Sequence, residues 1–138
     1  MSPVNNDPSI TFPDGLVGFA GPQRFVLVQW GGDDSPFSLL RAVDDEALAF
    51  VVVPPAVFFP DYEPEIDDDT AAVVGLQSAD DALVLVIVTV PDQVQDATAN
   101  LLGPLVINTV TLHGVQAVLN PDRWPSRRLL VEPAVTAA

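Results

Sequence analysis

Short apolar segments, each ended by a cluster of Pro, Gly or Asp, are the feature that most constrains how this chain can fold. Segments of this length, rich in Val, Leu and Ile, are typical of β-strands. We predict strands over residues 9–12, 24–30, 37–43, 47–53, 83–90, 105–111 and 115–119. Long segments of helical period are missing, which leaves little room for crossovers between parallel strands. The sequence therefore predicts an all-β fold, a small antiparallel β-barrel-like single domain with one short helix.

The turns and boundaries follow from the same pattern. The helix is predicted over residues 71–76, because Asp67, Asp68 and Asp69 offer carboxylates that can cap a helix N-terminus. His113 and Gly114 are predicted to form the hairpin turn before the last strand. A length of 138 residues suits one domain. We place that domain at residues 9–131, with a flexible N-terminus at 1–8 and a flexible tail at 132–138.

The charge balance excludes several classes of partner. The chain has 19 acidic residues and five basic ones, all Arg, so its net charge is -14. Contact with phosphates needs clustered cations, so we expect no direct nucleic acid binding and no membrane adsorption. The first residues lack the basic and apolar parts of a secretory signal, and residues 83–88 form too short an apolar run to span a bilayer. We therefore expect a cytoplasmic protein.

Few residue types are available for catalysis or metal binding. The chain has no Cys, no Lys and one His, His113, which we expect to be solvated. Disulfides, Cys-ligated zinc, Schiff bases and the P-loop lysine are thereby excluded. Residues 67–69 lack the alternating ligand spacing of a calcium loop. We expect no catalytic residues, no metal and no cofactor; the enzymatic alternative is a hydrolase that uses a carboxylate pair.

The acidic residues are concentrated where no basic residue can neutralise them. Between residues 42 and 122 there are fourteen Asp and Glu residues and neither Arg nor Lys. Such a segment can dock a basic partner, or it can be a solvated loop that also caps the helix. The candidate partner-binding residues are the aromatic and acidic side chains of one loop: Phe58, Phe59, Asp61, Tyr62, Glu63, Glu65, Asp67, Asp68 and Asp69. The alternative for the aromatic residues is packing against the barrel. The basic cluster of Arg123, Arg127 and Arg128, beside Trp124, is expected to pair with the chain's own acids; the alternative is contact with an acidic or aromatic ligand.

Several segments, in one order, resemble the family of the flagellar assembly factor FliW. The similarity begins with Ile-Thr-Phe-Pro-Asp-Gly-Leu-Val-Gly-Phe at 10–19 and includes Phe-Phe-Pro-Asp-Tyr at 58–62. Ile-Val-Thr-Val-Pro follows at 87–91, and Val-Gln-Ala-Val-Leu at 115–119. The most specific segment is Thr-Ala-Asn-Leu-Leu-Gly-Pro-Leu-Val-Ile-Asn at 98–108. The similarity runs from about residue 10 to about residue 129.

The resemblance implies a regulator that is not an enzyme. Proteins of this family bind newly made flagellin in the cytoplasm, and they bind CsrA, an RNA-binding repressor of flagellin translation. Secretion of flagellin would free the protein to capture CsrA and so allow more translation. We expect the free protein to be a monomer. The alternative within the family is a flagellin chaperone that does not oppose CsrA.

Overall fold

The computed structural model describes residues 9–16, 19–20, 23–32, 34–45 and 47–130. The predicted flexible segments at 1–8 and 132–138 lie outside the described residues. The strands are β1 (Ile10–Phe12), β2 (Gly15–Leu16), β3 (Phe19–Ala20), β4 (Gln23–Gln29), β5 (Ser38–Ala42), β6 (Ala49–Val53), β7 (Ala82–Thr89), β8 (Thr98–Ala99), β9 (Leu105–Asn108), β10 (His113–Gln116) and β11 (Arg128–Leu129). The α-helix is α1 (Asp68–Val73), and 3-10 helices span Pro55–Val57, Ala79–Asp81 and Val94–Asp96.

Seven of the strands in the described residues close into a barrel. The order around the barrel is β1, β4, β5, β6, β7, β9 and β10, and β10 returns to β1. All neighbours in this ring are antiparallel except β1 and β10, which are parallel with Thr11 opposite His113. Strand β8 extends the sheet from the end of β7, and β11 pairs with β8. The predicted all-β barrel with one short helix is confirmed, and its closure depends on one parallel pair.

The interior of the barrel is one apolar core. Alternate residues of each strand point inward, so Leu85 of β7 and Ile107 of β9 join Phe12 and Phe25 there. The rings of Phe12 and Phe25 meet edge to face, with centroids 5.6 Å apart. Gly114 lies against this core, since a Cβ at residue 114 would come within 2.7 Å of the Phe12 ring. Strand β10 can therefore approach Phe12 this closely only because residue 114 has no side chain.

A second apolar cluster lies on the outer face of the sheet. Residues of β7 that point outward, Val86 and Val88, pack with Val53 beneath the side chains of Phe59 and Tyr62. We call residues 58–62 and 119–130 the covering layer, because their apolar side chains pack against this cluster. The backbone N–H of Leu101 donates to the carbonyl of Pro125 at 3.1 Å and ties the layer to the barrel.

Two local predictions differ from the structure. Helix α1 begins at Asp68, three residues before the predicted start, because Asp67 is the N-cap and accepts a hydrogen bond from the Thr70 N–H at 2.8 Å. The prediction of a turn at His113 and Gly114 is wrong, since both residues lie in β10. The turn comes earlier because the side chain of Asn108 accepts hydrogen bonds from Val110 N and Thr111 N and ends β9 there.

Candidate partner-binding surface

The aromatic residues of the candidate loop take different positions. Phe59 and Tyr62 are buried, with 8% and 9% of their surface exposed, whereas Phe58 is half-buried. The Tyr62 hydroxyl donates to the Leu101 carbonyl at 2.6 Å, and its ring meets Trp124 edge to face at 4.6 Å. Burial raises the pKa of Tyr62 well above its usual range. In this structure Phe59 and Tyr62 thus contribute to packing, and of the three aromatics Phe58 is the most accessible to a partner.

Two arginines lie on the aromatic rings of the covering layer. The guanidinium of Arg123 is 5.6 Å from the centre of the Trp124 ring, and that of Arg128 is 5.7 Å from the centre of Phe59. Arg123 also donates to Glu65, with Nη1 3.0 Å from Oε1. The prediction that this basic cluster pairs with the chain's own acids is confirmed for Arg123. Both side chains of that ion pair are more than half exposed, so its contribution to stability is small.

The acidic residues of the loop are all exposed. Asp61, Glu63 and Glu65 precede α1, and Asp68 and Asp69 form its first turn. Hydrogen bonds from Thr70, through its hydroxyl and then its backbone N–H, lower the pKa of Asp67. Two ion pairs join described residues, Arg123 with Glu65 and Arg24 with Asp44. The run at 67–69 is therefore a charged, solvent-facing segment that also starts a helix.

A buried asparagine fixes α1 to the barrel. Asn108, which is 2% exposed, donates from Nδ2 to the carbonyls of Val74 at 2.9 Å and Gly75 at 3.3 Å. The Thr111 hydroxyl also donates to the Val74 carbonyl at 3.3 Å. These bonds join the C-terminal end of α1 to the turn between β9 and β10. The acidic residues that begin α1 are thereby held at a defined place beside the sheet.

Two grooves open where the outer face of β7 is incompletely covered. The first, which we call the acid-rimmed groove, has a volume of about 460 Å³ and lies at the start of β7; it is lined by Pro64, Ile66, Ala71, Leu76, Gln77, Ser78, Ala79, Ala82, Val84 and Val106. The second, the Trp30 groove, has a volume of about 300 Å³ and lies at the end of β7; it is lined by Trp30, Phe37, Phe58, Val88, Val90, Gln95, Ala97 and Leu130. Both grooves leave apolar side chains of the sheet accessible from solvent.

Sequence reasoning missed both grooves. Their lining residues come from elements that are far apart along the chain, such as Ala71 of α1 and Val106 of β9. One signal was available, since Ile66 and Leu76 are apolar residues on either side of an acidic helix. Trp30, an aromatic residue directly before Gly31 and Gly32, is a second such signal, and in the structure it is 41% exposed.

Three clefts in the described residues are each lined by one carboxylate, that of Asp61, Glu65 or Asp81. No three His, Cys, Asp or Glu side chains among the described residues converge as a metal site would require. A cleft of about 250 Å³ beside Tyr62 has a single carboxylate, Asp61, and neither groove has one in its lining. A carboxylate-pair hydrolase requires two facing carboxylates in one cleft, which these three clefts do not provide. None of the helices in the described part of the chain has the length and apolar character that a membrane crossing requires.

Comparison with known proteins gives consistent matches over nearly the whole chain. A family described as FliW protein matches residues 2–130. The flagellar assembly factor FliW of Natranaerobius thermophilus is 39% identical over 98% of this chain and 89% of its own length. The protein of the same name from Bacillus licheniformis is 35% identical over 91% of this chain and 87% of its own. A crystal structure of the flagellar assembly factor FliW superposes with a TM-score of 0.88 at 33% identity, covering 98% of this chain and 93% of that one.

Proposed function

This chain belongs to the FliW family of flagellar assembly factors, and on that premise we propose that it binds flagellin and the translational repressor CsrA in the cytoplasm. Flagellin and CsrA would compete for it, so that secretion of flagellin frees the protein to capture CsrA. Translation of flagellin would then follow its export. We propose that the free protein is a monomer and that its role is binding, with no catalytic step.

The observation that carries this proposal is the exposed, uncompensated charge around α1. Asp67, Asp68 and Asp69 face solvent. Among the described residues, the acid of this loop that forms an ion pair is Glu65, and its partner is Arg123. A protein of net charge -14 bound to a cationic RNA-binding protein lowers that protein's attraction for phosphate. By linkage, RNA bound to CsrA weakens the association by the same factor.

The proposed contact surface is the loop of candidate residues. Some of these residues would contact the partner, and others stabilise the loop. Phe58 supplies accessible apolar surface beside the Trp30 groove, and the acids from Asp61 to Asp69 supply the charge. Phe59 and Tyr62 hold the loop in place, because both are buried in the outer apolar cluster and Tyr62 is anchored to Leu101 and Trp124. Apolar contacts in a charged surround are typical of protein interfaces.

Calorimetric titration against purified CsrA and flagellin from the same genome tests the proposal. We expect a complex with each, and we expect the CsrA complex to weaken as salt is raised, since surface charges are screened. Adding flagellin to the CsrA complex should release CsrA. Binding to flagellin without any binding to CsrA would instead identify a chaperone that does not oppose the repressor. Failure to bind either partner would contradict the proposed function.

A variant that removes the three negative charges at residues 67–69 tests the role of these residues. In the triple variant Asp67→Asn, Asp68→Asn and Asp69→Asn the helix keeps its cap, because Asn caps as well as Asp. We expect the association rate with CsrA to fall about tenfold at low salt, with a smaller change in the dissociation rate. Asp45→Asn, Asp92→Asn and Asp96→Asn remove the same charge elsewhere and should slow association much less. Equal rates for the two triple variants would show that only net charge matters.

A further inference from the structure

We propose that the acid-rimmed groove holds a cationic amphipathic segment of a partner protein. The inference rests on the proposed function, because it assumes a protein partner, and it adds the place and the chemistry of one contact. The segment would lay apolar side chains on the floor of the groove and extend Lys or Arg side chains to its rim. Helices that bind in grooves are recognised in this manner, through apolar residues on one face.

The floor of the groove is apolar and is formed by ordered elements. Val84 of β7 and Val106 of β9 are directly opposite each other in the sheet, and both point outward. Ile66 and Leu76, on either side of α1, line the groove as well, and Ala71 contributes a small side chain that leaves the space open. The hydrogen bonds from Asn108 keep α1 at this distance from the sheet. A volume of about 460 Å³ accommodates several apolar side chains of a partner.

The rim of the groove determines the charge of the occupant. Acidic residues adjoin the lining residues in sequence: Glu65 and Asp67 flank Ile66, and Asp80 follows Ala79. Asp67 and Asp80 are exposed, and the only Arg paired to this rim among the described residues is Arg123, which contacts Glu65. A segment carrying Lys or Arg around an apolar centre complements this surface, whereas an acidic one is repelled.

A second copy of the chain is a poor occupant for the same reason. Two molecules of net charge -14 repel each other, and all five basic residues lie outside residues 42–122, from which both the floor and the rim are built. A dimer through this face would bring two acidic rims together. A cationic partner removes that repulsion and buries the same floor.

Peptide binding to the intact protein tests the proposal without CsrA or flagellin. The probe is a dye-labelled helical peptide of about 18 residues with Leu at helical spacing and Lys elsewhere, and its matched control has Glu in place of Lys. Fluorescence anisotropy should show binding of the Lys peptide only. Ala71→Lys blocks the groove and should weaken binding at least about tenfold. Ala72→Lys makes the same charge change at the exposed neighbouring residue of α1, and it should change binding less than about twofold.

A second pair of variants tests the rim with no change in side-chain size. Asp67→Asn with Asp80→Asn should weaken binding of the Lys peptide several-fold more than Asp92→Asn with Asp96→Asn, which removes two exposed charges at the other end of β7. Equal effects of the two pairs, equal effects of Ala71→Lys and Ala72→Lys, or a change of oligomeric state with Ala71→Lys would overturn the proposal. Failure here with intact binding of CsrA and flagellin would leave the proposed function standing. Binding of the Lys peptide by a protein that binds neither CsrA nor flagellin would refute the proposed function and leave the groove proposal standing.

Discussion

Replacing Asn108 by alanine tests whether one buried amide holds α1 against the barrel. The side chain makes four hydrogen bonds to backbone groups, two donated to the end of α1 and two accepted from the turn that follows β9. Alanine removes all four and leaves the strand backbone unchanged. We therefore expect a loss of global stability together with release of α1.

The magnitude follows from the lengths and burial of these bonds. The bond from Nδ2 to the Val74 carbonyl, at 2.9 Å, and the bond from Val110 N to Oδ1, at 2.8 Å, are each worth about 1 kcal/mol net. The two bonds of 3.3 Å contribute less. Val74 is 1% exposed, and its carbonyl would keep only the long bond from Thr111, which adds about 1 kcal/mol of penalty. The free energy of unfolding should fall by about 3 kcal/mol.

Urea unfolding measures this loss as a shift in midpoint at constant slope. Asn120→Ala is the matched control, because Asn120 is exposed and accepts one hydrogen bond, from Asp122 N at 2.9 Å. We expect the control to cost about 0.5 to 1 kcal/mol. Losses that agree within about 0.5 kcal/mol for the two variants would refute the argument that burial makes Asn108 an anchor.

Two further predictions concern the two apolar clusters. Tyr62 is the only tyrosine, so the tyrosinate absorption reports it alone, and it should titrate well above the ordinary pKa of about 10. Because folding raises this pKa, the contribution of the Tyr62 hydroxyl to the free energy of unfolding is fully present below pH about 10 and is lost as the pH rises further. The Tyr62→Phe variant should lack this loss. Gly114→Ala places a methyl group 2.7 Å from the Phe12 ring and should lower the free energy of unfolding by about 1 to 3 kcal/mol. Adding Phe12→Leu should cost less in that background than in the wild type, and a strictly additive double-mutant cycle would contradict the packing argument.

The strands could be predicted because their apolar patterns are local. Each of the seven predicted strands is present, with ends that differ by a few residues, and together they form the barrel. The helix at 68–73 was detectable from its capping aspartates. The two-residue strands β8 and β11 were not, since their pairing depends on where β7 and the covering layer lie. The turn was predicted at the wrong place because glycine is typical of turns. In the structure Gly114 instead lets the backbone of β10 lie close to the Phe12 ring.

The sequence predicted the candidate site only in part, because the contacts that form it join residues far apart along the chain. Sequence composition identified the exposed acids correctly as a charged segment. It could not decide between contact and packing for Phe59 and Tyr62, because other members of the same apolar cluster, such as Leu101 and Trp124, lie about 40 to 60 residues away along the chain. The acid-rimmed groove exists only where the loop, α1 and two strands meet. Such a site becomes visible when the fold is known.

The parallel pairing of β1 with β10 has a consequence for biosynthesis. Thr11 finds its partner, His113, about 100 residues later, so the barrel cannot close until residue 113 has left the ribosome. During synthesis the edges of β1 and β10 lack their partners, and unpaired edges of this kind invite aggregation. An acidic nascent chain repels its own copies on neighbouring ribosomes. The same charge that we assign to recognition would then also protect the protein before it is folded.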